Sequence, residues 1–261
     1  MRRVRALIFS CALSCLGASL ACAQAELPTE TIQIGLSTDT IAITSNFSGA
    51  DLTIFGALTN TDPQVQRQGH YDIIVVLEGP EVPLVVRQKS RVFGMWLNTR
   101  SADFDLVPLS YLVSSTRKMR DITDGDSFKK LSLGIEHLLI DTGRTKNILA
   151  ADFVRALKQL NVKAGTYSED SGRVEFISPN LFRATLRLPT NVPVGKHKAR
   201  AFLFRNGAFI KESSTSLQIE KAGFEQNIYN IARQYSLYYG LFAVALAMFT
   251  GWLGRVIFKK D

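Results

Sequence analysis

The sequence predicts a mainly β protein: one or two immunoglobulin-like antiparallel sandwich units with a two-helix insertion, followed by one C-terminal transmembrane helix. Three observations predict it. Short runs rich in β-branched and aromatic residues recur between 31 and 116 and return after Gly165. A helical period replaces them between 124 and 162. An uncharged apolar stretch then lies close to the end of the sequence.

The first element is "MRRVRALIFSCALSCLGASLACAQA", with a basic start at Arg2, Arg3 and Arg5, an apolar run from Ala6 to Ala21, and small residues at Ala21, Ala23 and Ala25 that suit signal peptidase. It reads as a secretory signal. The rival readings are a retained N-terminal anchor and lipoprotein processing at Cys22, for which Ser19 stands where a leucine is expected. Cys11, Cys15 and Cys22 are the only cysteines, so cleavage would leave a chain without disulfides or thiolate chemistry.

Seven strand-like runs follow: "TIQIGLS", "TIAIT", "DLTIFGALT", "YDIIVVLEG", "PLVVRQK", "VFGMWLN" and "YLVSSTR". Gly, Pro, Asp and Asn separate them, as in an antiparallel sandwich. Phe128, Leu131, Ile135, Leu138 and Leu139, and then Leu149, Phe153, Leu157 and Leu160, fall at helical spacing and predict two amphipathic helices. "RVEFIS", "LFRATLRLP", "KARAFLFR" and "AFIKESS" restore the strand pattern, the last two flanking Asn206-Gly207, a strong hairpin signal.

From Gln234 to Gly254 there are 21 residues without a formal charge. As a helix rising about 1.5 Å per residue they cross roughly 30 Å, the thickness of a bilayer core. Tyr235, Tyr238 and Tyr239 cluster at one end and Trp252 sits near the other, where amphipathic rings settle at headgroup level. Arg255, Lys259 and Lys260 follow the span and place the C-terminus in the cytoplasm by the positive-inside rule. The implied organisation is a signal peptide over 1–25, a first β unit over 26–122, a helical segment over 123–163 and a second β unit over 164–221. A juxtamembrane helix over 222–235, a transmembrane helix over 236–258 and a tail of 259–261 complete it. The expected location is the inner membrane, single-pass, with the bulk of the chain periplasmic.

The pI near 9.5 suggests nucleic acid, but the formal net charge of +8 is unevenly placed. Three units lie in the signal and a net two after the span, leaving three on the exported part. That is close to balance, and no nucleic-acid partner is expected.

Several of these segments together resemble a known family: "IAITSNFSGADLTIFGA", "VVRQKSRVFGMWLN", "VPLSYLVSSTRKM", "LFRATLRLPTNVPVGKHKARAFLFRNG" and "GWLGRVIFKKD". In matching order over nearly the whole mature chain, they are similar to the Alph_Pro_TM transmembrane proteins of the Alphaproteobacteria. The resemblance implies exported single-span proteins of uncharacterised activity, whose genes often lie near a permease of the sulfite-exporter type. Where that family tends to carry a phenylalanine and an aromatic, in "VPSFYAVAS", this chain has Leu109-Ser110-Tyr111-Leu112, so a ligand contact through that phenylalanine does not carry over.

No catalytic or metal site is expected, and no cofactor. His70 and Asp72 flank a tyrosine on one potential strand face, and His137 and Asp141 are spaced as one helical turn, but neither pair has a third ligand nearby in sequence. His197 lies between two lysines. Ser115 and Lys118 have the S-x-x-K spacing without S-D-N or K-T-G, and nucleophile-elbow, P-loop and dinucleotide fingerprints are absent from the sequence.

Binding has better candidates. Arg87, Lys89 and Arg91 alternate, so an extended run projects all three from one face; Trp96 and Asn98 alternate after them, and Arg117 follows the next strand. Such a face would suit an anionic ligand or headgroup, or it would simply protect an edge strand. In the span, Gly240, Ala243, Ala247, Gly251 and Gly254 form one stripe of small residues, where another membrane helix could pack closely. The expected partners are therefore the membrane and an integral membrane protein met through the span. The favoured class is a non-catalytic accessory or sensing subunit; a periplasmic enzyme or binding protein for an anionic ligand, and a self-associating envelope protein, are the alternatives.

Overall fold

The computed structural model describes residues 30–69, 71–141, 148–223, 229 and 232–257. The signal segment, His70, half of the expected juxtamembrane helix and the last four residues lie outside these. The chain divides into two units, Met1–Glu30 and Thr31–Asp261, and the elements below belong to the second.

Twelve strands form among the described residues: β1 (Thr31–Leu36), β2 (Thr40–Ile43), β3 (Ala50–Thr59), β4 (Tyr71–Glu78), β5 (Glu81–Val92), β6 (Met95–Pro108), β7 (Tyr111–Ser115), β8 (Tyr167–Ser168), β9 (Gly172–Ser178), β10 (Leu181–Leu188), β11 (Gly195–Arg205) and β12 (Ala208–Lys221). The helices are α1 (Pro63–Arg67), α2 (Gly125–Leu131), α3 (Ile148–Ala164) and α4 (Ser236–Ile257). The chain is thus mainly β with an apolar C-terminal helix, as the sequence predicts.

Ten strands make one mixed sheet in the order β1-β3-β10-β9-β7-β4-β11-β12-β2, with β8 beside β7. Neighbours are antiparallel except β2 on β12 and β8 and β9 on β7. Because β1 also approaches β12, the sheet curls. Strands from early and late sequence alternate in it: β3 pairs with β10, and β4 with β11. This order does not establish the immunoglobulin-like type expected from the sequence.

The curl explains the apolar run of β4. Ile73, Val75 and Leu77 enter the core enclosed by the sheet, with Ile54, Phe182 and Leu203. Ile74 and Val76 face a second cluster with Tyr111, Tyr167, Phe128 and Phe204. A strand covered on both faces reads as a continuous apolar run rather than an alternation. Burial holds the phenol of Tyr111 well above its usual range and pushes that of Tyr167 up to about 12. Each hydroxyl is bonded to backbone, Tyr167 donating to the Pro108 carbonyl (2.6 Å) and Tyr111 accepting from the Gly134 N–H (3.0 Å).

The first predicted amphipathic helix is shorter than its spacing suggests. Asp124 caps α2 by accepting from the Ser127 N–H (3.0 Å), but Ser132 adopts a left-handed conformation (φ 54°) and ends it. Ile135 and Leu138 still pack on the second cluster from the turn beyond, while Leu139 is exposed. The helix α3 lays Phe153 and Leu157 on Ala102 and Phe104 of β6, against Leu84 and Val86 of β5, with Leu160 exposed. Lys158 ties this helix down by donating to the carbonyls of Glu136 and Leu138 (2.9 and 3.0 Å), and burial holds its ammonium below the usual lysine range.

Candidate functional site

Strands β5 and β6 stand apart from the ten-strand sheet as a ribbon of their own. The run expected as one strand, Val92 to Asn98, is broken by a two-residue turn at Phe93 and Gly94, whose φ angles are 48° and 84°. Two positive φ values match the right-handed twist of a hairpin. The register then pairs Arg87 with Ser101, Lys89 with Asn98 and Arg91 with Trp96. Paired residues share a face, so Arg87, Lys89, Arg91, Trp96 and Asn98 lie together on one side of the ribbon. Gln88, paired with Arg100, faces the other side, and a bulge follows at Lys89. The base of the ribbon is held by α3; beyond the bulge the side chains are mostly exposed, Trp96 at 68% and Phe93 at 99%.

Arg117 is placed elsewhere. It lies after β7, where its guanidinium makes two bonds to the buried carboxylate of Asp72 (2.8 and 2.5 Å), an attachment that raises its pKa. Thr116 donates to the same carboxylate (2.9 Å). Asp72 is thereby engaged, and its sequence companion His70 lies outside the described residues. Ser115 donates to the Arg117 carbonyl (2.6 Å) and Lys118 precedes a 3-10 turn, so the S-x-x-K residues do not share a helix. His137 stacks on Phe128 at 6.4 Å within a turn, and Asp141 bridges to Leu106, so the two are not one helical turn apart. Among the described residues no three His, Cys, Asp or Glu side chains are grouped to hold a metal.

Near the C-terminus, α4 carries a 20-residue window, Ser236–Arg255, with mean hydropathy 1.5 and none of it buried. A Cβ added at Gly240, Gly251 or Gly254 would meet nothing within 4 Å, so the small-residue stripe faces no other described part of this chain. Thr250 satisfies its hydroxyl within the helix by donating to the Leu246 carbonyl (2.8 Å), as hydroxyls in apolar surroundings do.

The model of the family described as "Putative transmembrane protein (Alph_Pro_TM)" matches residues 31–260, the strands and the apolar helix alike. The chain belongs to this family. Family and helix together make it a membrane protein with one candidate span near the C-terminus. No curated protein matches this Alph_Pro_TM chain in sequence. Among solved structures it is similar to Spo0M, a sporulation control protein from Bacillus subtilis, at 8% identity and a TM-score of 0.27, over 79% of this chain and 56% of that one. It is similar also to AggA, the major subunit of aggregative adherence fimbriae type I from Escherichia coli, at 8% identity and a TM-score of 0.25, over 74% of this chain and 95% of that one. At such values neither likeness bears on function.

Two polar clusters of this Alph_Pro_TM protein were not legible in the sequence. His197, fully buried at the start of β11, has Nδ1 against the Gly195 carbonyl (3.1 Å) and Nε2 against the Ser110 hydroxyl (3.3 Å). The carbonyl requires a proton on Nδ1, leaving Nε2 to accept from the serine, and burial lowers the pKa of the ring. With both groups buried and each ring nitrogen bonded within the fold, the pair acts as a neutral clamp between β11 and the β6–β7 turn. Arg200, in the middle of β11, reaches Glu78 on β4 (2.9 Å) and Glu212 on β12 (2.7 and 3.1 Å) while lying over the Phe202 ring. Glu212 lies in the hairpin around Asn206-Gly207, but Glu78 joins only because early β4 pairs with late β11, so no spacing in the sequence announces the three-residue cluster.

Proposed function

We propose that this Alph_Pro_TM protein is an exported, single-span inner-membrane protein acting as a non-catalytic accessory or sensing subunit of a membrane complex. In this reading the β body is periplasmic, the C-terminus cytoplasmic, and α4 joins a partner through its small-residue stripe. The observation that carries it is α4 itself, long and apolar enough to cross a bilayer with none of its window covered by the described fold. The engagement of Asp72, His197, Glu78 and Glu212 in internal contacts supports a non-catalytic role, because these polar groups brace the sheet. A permease of the sulfite-exporter type is the partner that the family resemblance suggests. The second reading, a binding protein for an anionic ligand, draws on the cationic face of the β5–β6 ribbon.

The accessory role is tested in the span. Ala247→Leu and Gly251→Ile add bulk where two backbones must approach, and lipid does not replace the lost packing. Both substitutions raise apolarity, so insertion is retained. The expected outcome is normal membrane levels with loss of cross-linking or co-purification of the partner, while Leu246→Ile, off the stripe, keeps both. Equal partner recovery from all three variants would make α4 a tether only.

A further inference from the structure

We infer that the tip of the β5–β6 ribbon docks into the interface of an anionic phospholipid bilayer, its apolar residues reaching the acyl boundary and its cations meeting the headgroups. The inference rests on the reading that α4 anchors the chain in a membrane, and it assigns the ribbon a lipid partner.

The turn gives the first reason. Among the described residues two hairpin turns share one geometry: Asn206-Gly207 with φ 49° and 82°, and Phe93-Gly94 with φ 48° and 84°. Asparagine tolerates the left-handed conformation, whereas a bulky aromatic is strained there. Phe93 is also 99% exposed to solvent, so the position carries both backbone strain and an unburied ring. Met95, Trp96 and Leu97 beside it are exposed as well. Strain held at an exposed apolar tip points to a site that is covered when working.

Charge selects the occupant. Residues 82–102 include Arg87, Lys89, Arg91 and Arg100 and no acid, the nearest carboxylates being Glu81 and Asp103 at the base. The register puts Arg100 on the face opposite Arg87, so cations surround the ribbon rather than line one side of it. At about 3.3 Å per residue, Arg91 lies roughly 7 Å and Lys89 roughly 13 Å behind Phe93. Interfacial segments bury their apolar side about 5–10 Å into the headgroup boundary, so that spacing sets the ring among the acyl chains and the cations among anionic headgroups. A convex apolar tip ringed by positive charge fits a planar anionic surface better than a protein groove. The anchor supplies proximity, because the 14 residues between Lys221 and Ser236 cannot separate them by more than about 50 Å.

The test uses the full chain with Trp252→Phe, which leaves Trp96 as the sole tryptophan, in lipid nanodiscs of phosphatidylcholine alone or mixed with phosphatidylglycerol. In the mixed discs Trp96 emission should shift to the blue, resist iodide and be quenched by brominated acyl chains, and all three effects should weaken in phosphatidylcholine alone. Lys89→Gln or Arg91→Gln should each lower the docked-to-free ratio about fivefold, the share of one cation near an anionic surface. Phe93→Asn should abolish acyl-chain quenching while keeping the melting temperature, because it installs the residue used in the other turn. Trp96 open to iodide in both kinds of disc overturns the inference while leaving the anchor reading standing. Protection that requires native membranes rather than lipid also overturns it, in favour of a protein partner. A chain that elutes apart from the discs removes the anchor reading and this inference together.

Discussion

Gly172→Ala is expected to destabilise the β body by about 3 kcal/mol, the upper end of what overpacking usually costs and a large share of the roughly 5–15 kcal/mol that holds an ordinary domain together. Gly172 opens β9 opposite Leu186 of β10. A Cβ there would fall on the carbonyl oxygen of Thr185, inside any van der Waals contact, and 2.8 Å from the carbonyl carbon. The obstacle is backbone, so no rotamer relieves it. The strands must part, which strains the bonds flanking the glycine, Ser171 N–H to the Val113 carbonyl (2.9 Å) and Arg187 N–H to the Ser171 carbonyl (2.8 Å). It also loosens Val174, Ala184 and Leu186 in the enclosed core. Gly35→Ala is the matched control, since a Cβ on that β1 residue meets nothing within 4 Å. Urea unfolding followed by the far-ultraviolet circular dichroism of the β body should show a loss for Gly172→Ala and a change within about 1 kcal/mol for Gly35→Ala. Equal midpoints would contradict the β9–β10 packing described above.

The second large effect is expected at Arg200. Arg200→Met keeps much of the apolar stem but leaves Glu78 and Glu212, on the two strands that flank β11, without their shared cation. Breaking a fully buried pair costs about 3–5 kcal/mol, and the residual exposure of these three side chains reduces the expected loss to about 2–4 kcal/mol at neutral pH. Burial alone would lower the pKa of this guanidinium; its bonds to Glu212 and Glu78 outweigh that and raise it, so Arg200 stays charged throughout the accessible range. Without the cation the two carboxylates are left unpaired in a partly buried site, so the penalty is electrostatic and added salt should shrink it. Glu212→Gln added to Arg200→Met should recover part of the loss at neutral pH. A penalty that is unchanged by salt or by the second substitution would mean that the stem, not the charge, is what Arg200 contributes.

Local chemistry was legible in the sequence, and long-range pairing was not. The turn at Asn206-Gly207, the doubly covered β4 and the span each carry their signal within a few consecutive residues. Alternation placed Arg87, Lys89 and Arg91 on one strand face, and the register sets them with Ser101, Asn98 and Trp96. The Phe93-Gly94 turn escaped because phenylalanine is not a residue that a left-handed position normally takes. The glycine between two strand-like runs, within a stretch free of acids, was the available sign. The end of α2 escaped because the apolar spacing continues to Leu139 through a serine that turns the chain. The strand order joins segments more than 100 residues apart, as β3 does with β10, and periodicity within a segment carries no information about its distant neighbour.

The central claim, a β body held outside the cytoplasm by a span with its C-terminus inside, is tested most directly by fusing a reporter that is active only outside the cytoplasm at two points of the full chain. Activity when fused after residue 225 and none when fused after Asp261 is the result predicted from the basic residues Arg255, Lys259 and Lys260 beyond the apolar stretch. The reverse pattern, or equal activity at both points, would contradict it.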